Sequence, residues 1–378
     1  MYIPGVPPSP AKAPPAIVPL IGHSGLRRRL ADSADHDRLP AALLLHGRPG
    51  VGKQRLALWL AQRLLCQPAA TPVTVAAPHA AADRPCGVCQ SCRFAAALSH
   101  PDLRWVFPRP RLKDADASPA DVMRDLAEGA ADRLHDGLVY APPAGTDGIY
   151  VATIRAIVRQ AGITPAISAR KIFVIGDAER MVPQEGADAA ANAFLKLLEE
   201  PLPDTMIILT SSEPGALLPT IRSRVVAVRV PALPDADVRT WIQHPTVDAR
   251  LSALGVPPGD DARVRLAAGA PGTLLANAPA ADATAAARSL LDASGDRAAR
   301  YRRALKQGAA GARGAFSDTL DALTVLVHAR ARDAAAHGDA DAARAADDAM
   351  RAIERAKTYA DSNVNPQLIT ASLLRSLR

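Results

Sequence analysis

Gly47-Arg48-Pro49-Gly50-Val51-Gly52-Lys53 is the stretch of sequence that decides the fold. It follows a short apolar run, Ala41 to Leu45, and it precedes leucines spaced four residues apart as far as Cys66. The run is typical of a buried strand, and the spacing is typical of one face of a helix. Between a strand and a helix, Gly-x-x-x-x-Gly-Lys is a phosphate-binding loop, or P-loop, in which backbone N–H groups and the lysine surround phosphate oxygens. The sequence therefore predicts an α/β domain with a nucleotide-binding loop.

The residues that would complete an ATPase site depart from the expected pattern. Gln54 stands where the motif calls for a Ser or Thr that ligates Mg²⁺. Hydrolysis also needs two adjacent carboxylates at the end of a later strand, and the candidate stretch runs from Lys171 to Glu179. If Asp177 is the metal ligand, Ala178 replaces the second acid; if the register is one residue earlier, Gly176 replaces the first. Either way we expect a degenerate site that binds ATP or ADP without efficient hydrolysis.

Four cysteines form the second chemical signal. Cys86, Cys89 and Cys92 follow one another at Cys-x-x-Cys-x-x-Cys spacing, and Cys66 precedes them by a gap of 19 residues. In a reducing compartment such crowding indicates a metal site rather than disulfides. Four thiolates would close a tetrahedral shell around a structural Zn²⁺, so we expect no catalytic metal. His79 and His100 remain alternatives to Cys66 as the fourth ligand, and a set of buried thiols without a metal is the alternative to the zinc site.

Composition limits the class of protein. Apolar residues make up 48% of the 378 residues, aromatic residues 3% and charged residues 22%, with a net charge of +7. No stretch approaches 18 consecutive apolar residues, so no membrane span is expected. The first 20 residues lack the basic and apolar segments of a signal peptide, which favours a cytoplasmic protein. The basic balance is compatible with a polyanionic partner such as nucleic acid.

Further patterns outline the domain organisation. Residues 1–16 are Pro-rich and are expected to form a flexible extension, and 107–147 are expected to form a long insertion of low order. Buried strands are predicted at 172–175, 206–209 and 225–230, with a helix at 187–200. Pro231 and Pro234 mark the end of the α/β domain, here bounded as 17–232 with the cysteine module at 66–92 inserted. The remaining chain is Ala-rich and predicted to be helical.

The ordered set of motifs resembles one family. The P-loop, the cysteine cluster, His100-Pro101-Asp102, Asp177-Ala178, the stretch 192–201 (NAFLKLLEEP) and 220–224 (TIRSR) follow one another as in the delta-prime family of bacterial clamp-loader subunits, within the AAA+ superfamily. The similarity runs from about Ile21 to Pro231 and is weak in 67–85, 103–147 and 275–345. It implies an AAA+ α/β domain, a small helical lid at 233–283 and a helical collar at 284–378 that joins sister subunits.

The resemblance also implies a role. Clamp loaders use ATP to open a sliding clamp and to close it around primer-template DNA. Delta-prime-like subunits act as a stator in a hetero-pentamer with gamma/tau ATPase subunits and a delta subunit of DNA polymerase III. By similarity, Arg224 becomes a candidate arginine finger that acts in trans on a neighbouring ATPase site, and Ser211 or Ser212 matches a phosphate-sensing position. The family usually has Cys after this arginine, whereas this chain has Val225.

Two other functions stay open at this point. An active gamma/tau-like ATPase, or another AAA+ remodelling protein, is the first, and Gln54 and the missing acid pair argue against it. A zinc-bearing nucleic-acid module with a vestigial P-loop is the second. The net charge of +7 supports it, but the sequence has no basic stripe interleaved with aromatic residues.

Overall fold

The computed structural model describes residues 17–67, 85–112, 117–135, 137, 147–181, 188–202, 204–276, 281–293, 302, 313–361 and 364–377. The predicted flexible extension at 1–16 and most of the 67–85 loop lie outside these residues. The chain divides into two compact units. The first comprises Met1–Tyr140 and Gly148–Val247, and the second comprises Ala141–Asp147 and Asp248–Arg378. The proposed bounds of the lid and the collar stay predictions.

A five-stranded parallel sheet forms the centre of the first unit. Its strands are β1 (Ala42–His46), β2 (Leu103–Val106), β3 (Lys171–Ile175), β4 (Thr205–Ser211) and β5 (Val226–Arg229), in the order β2-β3-β4-β1-β5. β1 pairs with β4 from Ala42↔Ile207 to His46↔Ser211. The predicted α/β domain is confirmed in this sheet, and four of its strands match the predicted apolar runs within a few residues.

Helices cover both faces of the sheet, which is why the central strands are apolar at consecutive positions. The helices of this unit are α1 (Ser24–Asp35), α2 (Lys53–Leu65), α3 (Gln90–Ala96), α4 (Pro119–His135), α5 (Val151–Ala161), α6 (Asp188–Glu199), α7 (Pro219–Arg222) and α8 (Asp235–Ile242). On one face, Leu44, Phe173 and Ile207 belong to a core that includes residues of α4, α5 and α6. The alternate residues Leu43 and Leu45 are also fully buried, and α2 contacts β1, β3 and β4.

The expectation of a low-order insertion at 107–147 is wrong over α4. Ser118 caps this helix: its hydroxyl accepts a hydrogen bond from the Asp121 N–H at 3.2 Å, and the Asp121 carboxylate accepts one from the Ser118 N–H at 3.3 Å. Pro119 occupies the first turn, where its missing N–H costs no helix bond. Val122 and Leu126 then pack into the core with four-residue spacing. The prolines that suggested disorder therefore lie at and beyond the ends of a helix.

In the second unit, the described residues form helices and the short connections between them. α9 (Pro245–Ala253) crosses the boundary between the units, and α10 (Asp260–Ala267), α11 (Thr273–Ala276), α12 (Ala281–Ala293), α13 (Arg313–Ala336), α14 (Ala340–Asp361) and α15 (Pro366–Ser376) follow. Phe316, Leu320, Leu323 and Val327 form the predicted apolar stripe on α13 and are buried in a core that extends from Ala283 to Leu377. Within the described residues, no helix is long and apolar enough to cross a membrane.

Candidate functional site

The P-loop lies at the carboxyl end of β1, as the sequence predicts for residues 47–53. The N–H of Gly47 donates a hydrogen bond to the Ser211 carbonyl at 3.2 Å, which joins the start of the loop to the end of β4. Gly52 precedes α2 with a φ of 93°, a left-handed conformation that glycine adopts without strain. The loop thus delivers the N-terminus of a 13-residue helix, with its unpaired N–H groups, to the edge of the sheet.

Lys53 is buried at the centre of this loop. Its ammonium donates hydrogen bonds to the carbonyls of Gly47 and Arg48, both at 2.9 Å, and to the Ser212 hydroxyl at 2.8 Å. Burial lowers the pKa of Lys53, against the opposing effects of Asp177 and Glu179. These bonds bring the predicted P-loop lysine together with Ser212, one of the two serines singled out by resemblance. The other, Ser211, instead accepts a hydrogen bond from the Glu213 N–H.

Gln54 contacts both residues that the sequence left as alternative acid positions. Its Nε2 donates to Oδ2 of Asp177 at 2.9 Å, and its Oε1 accepts from the Trp105 indole N–H at 3.0 Å. A Cβ on Gly176 would lie 2.4 Å from the same Oε1. Gly176 therefore faces the Gln54 carboxamide directly. Trp105 carries no signal for this role in the sequence, because the contact joins residues 51 positions apart.

Two acidic side chains lie next to the loop. Burial, followed by the nearby charge of Glu179, raises the pKa of Asp177, while Lys53 and Arg133 oppose the change. Glu179 accepts a hydrogen bond from the Ser212 N–H at 2.9 Å through Oε1. Its Oε2 is buried and has no hydrogen-bond partner within the described residues. Two carboxylates are thus present, but they are separated by Ala178, and one oxygen of each accepts a hydrogen bond from a neighbouring protein donor.

His23 is a loop contact that the sequence analysis did not identify. It lies at the start of α1 with a φ of 56°, and its Nε2 is 2.8 Å from the Val51 carbonyl oxygen. Burial lowers the pKa of His23, although the hydrogen bond to Val51 acts in the opposite direction. The contact fastens the segment before α1 to the P-loop. A single histidine outside any motif gives no sequence signal for such a role.

Arg224 follows α7 and makes its contacts away from the P-loop. Its Nε donates to the Glu199 carboxylate at 2.6 Å, and its Nη2 contacts the same oxygen. Its Nη1 donates to the Thr220 carbonyl at 2.7 Å and to the Ser223 hydroxyl at 3.1 Å. The guanidinium is therefore held against the last residue of α6 and the end of α7, and none of these partners belongs to the P-loop of the same chain.

The four cysteines come together. Their sulfurs all lie within 4.8 Å of one another, and the Cys86 and Cys92 sulfurs are 3.8 Å apart. A tetrahedral Zn²⁺ with Zn–S bonds of about 2.3 Å places its sulfurs about 3.8 Å apart, so these side chains fit that geometry with small shifts. Cys66 directly follows α2, Cys89 caps α3, and Cys92 lies in the first turn of α3. The group could hold a metal ion.

The surroundings of the cluster favour a thiolate at Cys86 and disfavour one at Cys66 and Cys92. Burial would raise the pKa of Cys86, but hydrogen bonds from the N–H groups of Cys89 and Val88 and from the side chains of Cys66 and Cys89 together outweigh it and lower the pKa to about 6. Burial raises the pKa values of Cys66 and Cys92. His100 is engaged elsewhere: its Nδ1 accepts from the Asp102 N–H at 3.0 Å, and its Nε2 is 3.4 Å from the Ser168 hydroxyl. The other alternative ligand, His79, lies outside the described residues.

Comparisons with known proteins agree with these features. A family model described as DNA polymerase III, delta subunit, matches residues 22–234, more than half of the chain. The DNA polymerase III subunit delta' of Pseudomonas aeruginosa is 32% identical over 213 residues, which is 56% of this chain and 50% of that protein. The DNA polymerase III subunit tau of Escherichia coli is 26% identical over 231 residues, which is 61% of this chain and 28% of that protein.

A solved structure from Thermotoga maritima, a DNA polymerase III gamma subunit-related protein, aligns with 92% of this chain and 99% of its own at 17% identity and a TM-score of 0.41. The chain spans about half the length of the Pseudomonas relative that it matches. The family match covers the sheet, the P-loop, the cysteine cluster and Arg224. The chain therefore belongs to the DNA polymerase III delta subunit family, as one of its delta-prime members.

Proposed function

We propose that this chain is a stator subunit of the bacterial DNA polymerase III clamp loader. In this role it helps to load the sliding clamp onto primer-template DNA without hydrolysing ATP itself. The observation that carries the proposal is the hydrogen bond from the Gln54 amide to the Asp177 carboxylate. Mg²⁺ takes oxygen ligands in near-ideal octahedral geometry, and an amide N–H aimed at the carboxylate occupies the place of such a ligand contact. The residues present therefore do not fit a catalytic Mg²⁺.

Without a Mg²⁺ site, the P-loop lacks the cation that ATP hydrolysis requires. In P-loop enzymes the metal bridges the β- and γ-phosphate oxygens and neutralises the charge that develops during phosphoryl transfer. Here the P-loop hydroxyl is replaced by Gln54, and the position facing it is Gly176. The glycine loop, Lys53 and the N-terminus of α2 remain as phosphate-binding groups. A site of this kind suits a subunit that holds a nucleotide or keeps a fixed conformation and does not hydrolyse ATP.

Arg224 gives the subunit its proposed effect on a neighbour. An arginine finger supplied in trans stabilises the transition-state charge and accelerates phosphoryl transfer by about 10³- to 10⁵-fold. The Glu199 carboxylate holds this guanidinium in the isolated chain. A γ-phosphate on an adjacent ATPase subunit offers a stronger anionic partner, to which the same planar donors can bind. We therefore place Arg224 at the interface with a gamma/tau subunit.

Zn²⁺ is the metal that we propose for the four cysteines. Thiolate ligands select zinc among the common structural ions, and four protein ligands leave no open position for catalysis. The chain would assemble with gamma/tau and delta subunits through a collar at 284–378, and residues 233–283 would form the lid. Contact with the clamp and with DNA would follow from the assembly rather than from this chain alone.

The decisive experiment is ATP turnover by the reconstituted loader with clamp and primed DNA. We expect Arg224→Ala to lower the stimulated rate by at least about 10³-fold while assembly, followed by size-exclusion chromatography, is unchanged. Arg222→Ala is the matched control, since Arg222 is an exposed arginine two residues earlier. An unchanged rate with Arg224→Ala would contradict the assignment of Arg224 as an arginine finger. Mg²⁺-dependent turnover by the isolated wild-type chain would instead favour a gamma/tau-like ATPase.

A further inference from the structure

The Gln54 carboxamide is fixed from both ends. The Trp105 indole donates to its oxygen at 3.0 Å, and its nitrogen donates to Asp177 at 2.9 Å. The Asp177 backbone N–H in turn donates to the Thr210 hydroxyl at 3.2 Å. These three hydrogen bonds connect the ends of β2, β3 and β4 to the first turn of α2. Gln54 is therefore a built part of the sheet edge and not a solvent-facing replacement for a hydroxyl residue.

Gly176 supplies the room for this arrangement. A Cβ at residue 176 would lie 2.4 Å from Oε1, 2.5 Å from Cδ and 2.8 Å from Nε2 of Gln54, and these are its three nearest neighbours. Each distance is far below van der Waals contact, and the carboxamide is restrained at both ends. The space that any side chain on residue 176 would need is therefore occupied by Gln54. The two departures from an ATPase pattern form one steric pair.

We infer that Gln54 and Gly176 together close the divalent-cation position of the P-loop, so that this site binds a nucleoside di- or triphosphate without a divalent cation. The inference rests on the proposed function in one respect, namely that the P-loop holds a nucleotide. The amide group fills the metal position but carries no charge. The N–H groups at the start of α2 are then the groups that face the phosphates, and Lys53 joins them when its ammonium exchanges a bond to Gly47, Arg48 or Ser212 for a phosphate oxygen.

Nucleotide binding by the full-length chain tests the ligand. A fluorescent N-methylanthraniloyl ADP is titrated once with Mg²⁺ and once with EDTA, and unlabelled ADP is added in competition to confirm a specific site. We expect the two dissociation constants to agree within about twofold, a difference well below the ~1.4 kcal/mol that corresponds to a factor of ten. A tenfold weaker affinity in EDTA, or no saturable binding in either buffer, would overturn the inference.

A double-mutant cycle tests the steric pair. Gly176→Ala is made in the wild-type chain and in the Gln54→Thr variant, and thermal unfolding is measured for all four proteins. We expect Gly176→Ala to lower the Tm by several degrees in the wild-type background and by much less in the Gln54→Thr background, because contacting residues are energetically coupled. Equal shifts in both backgrounds would overturn the pairing. This readout does not require that nucleotide bind.

The combined variant tests whether the pair is what excludes the metal. Gln54→Thr with Gly176→Asp restores a hydroxyl and a carboxylate in the two positions, which are the groups that hold Mg²⁺ in P-loop proteins. We expect ADP binding by this variant to weaken by about tenfold or more when EDTA replaces Mg²⁺, about 1.4 kcal/mol. An EDTA-insensitive affinity would overturn the assignment. All these assays use the isolated chain, so they can succeed even if Arg224→Ala has no effect in the loader.

Discussion

Asp102 shows how one buried carboxylate sets the geometry of a loop. It accepts hydrogen bonds from the backbone N–H groups of Ala166, Ile167 and Ser168, at 2.5, 2.9 and 2.8 Å. Burial would raise the pKa of Asp102, but these three N–H groups and the nearby His100 lower it below its ordinary value. The carboxylate therefore anchors the segment that leads into β3, which ends next to Asp177 and the P-loop.

Replacing Asp102 tests this anchor. We expect Asp102→Ala to lower the free energy of unfolding at pH 7 by about 2–3 kcal/mol, because hydrogen bonds to a charged group are lost and buried donors are left unpaired. Asp102→Asn keeps the shape and removes the charge, so we expect a smaller loss. Urea unfolding followed by circular dichroism measures both. Asp348→Asn, an exposed acid in α14, is the control and should change stability by less than about 0.5 kcal/mol.

The lowered pKa also fixes a pH dependence for the same variants. Asp102 binds its proton less tightly in the folded chain than in the unfolded chain, whose ordinary value is 3.8. Its contribution to stability is therefore complete above that value and is lost as the pH falls through the lower, folded-state pKa. The difference between wild type and Asp102→Asn should shrink over this acid range. A difference that is constant from pH 7 into this range would contradict the role of the charge.

Single residues also show which features of the candidate site can be predicted from the sequence. The Gly-x-x-x-x-Gly-Lys pattern was sufficient to place Lys53 at the start of a helix after a buried strand. Gln54 was recognisable as a departure, because the motif specifies a hydroxyl there. The contacts of Gln54 with Trp105 and Gly176 could not be predicted, because these two residues approach Gln54 only when β2 and β3 pair in the sheet. Long-range side-chain contacts of this kind leave no periodic signal in one sequence.

At the scale of elements, the cysteine cluster joins two helices. Cys66 follows the last residue of α2, and Cys89 and Cys92 belong to the start of α3. The Gln62 side chain on α2 also donates to the Cys92 carbonyl at 3.1 Å. A metal ion bound by the four sulfurs would therefore fasten α3 to the end of the P-loop helix. Its binding free energy would add to the stability of that pair of helices.

Metal analysis of the purified chain checks this prediction. We expect about one Zn²⁺ per chain, and we expect Cys66→Ser and Cys92→Ser to lose it together with several degrees of Tm, because three ligands hold zinc less tightly than four. His79→Ala is the matched control for the alternative fourth ligand and should retain the metal. If zinc is retained in Cys66→Ser but lost in His79→Ala, then His79 and not Cys66 is the fourth ligand. A chain without metal would contradict the site.

Elements differ in how well they can be predicted, and α4 gives the reason. The strands β1, β3 and β4 are buried on both faces, so each is an apolar run that is visible in the sequence. α4 is flanked by prolines and lies within an Ala-rich stretch, and these features concealed it. The pair Ser118 and Asp121 at capping-box spacing and the four-residue spacing of Val122 and Leu126 do mark the helix. The proline content favours a loop prediction more strongly than these signals favour a helix.

At the scale of the whole molecule, the described residues include two hydrophobic cores that are built from separate parts of the chain. The core of the first unit draws its buried residues from Ala42 to Ile221. The core of the second unit draws its own from Ala283 to Leu377, and no residue belongs to both. The family match ends at residue 234, before the second core begins. The P-loop unit can therefore be expected to fold without the C-terminal helices.

Removing residues 284–378 tests whether these helices form the collar. We expect the shortened chain to keep a cooperative urea transition, because the first core is intact and Trp59, Trp105 and Trp241 all lie in the retained part and report it by fluorescence. Size-exclusion chromatography with gamma/tau and delta subunits should show no association. Leu323→Asp in the full-length chain places a charge in the second core and should also prevent assembly. A shortened chain that still enters the complex would move the assembly surface to the P-loop unit, where Arg224 lies, and would end the collar assignment.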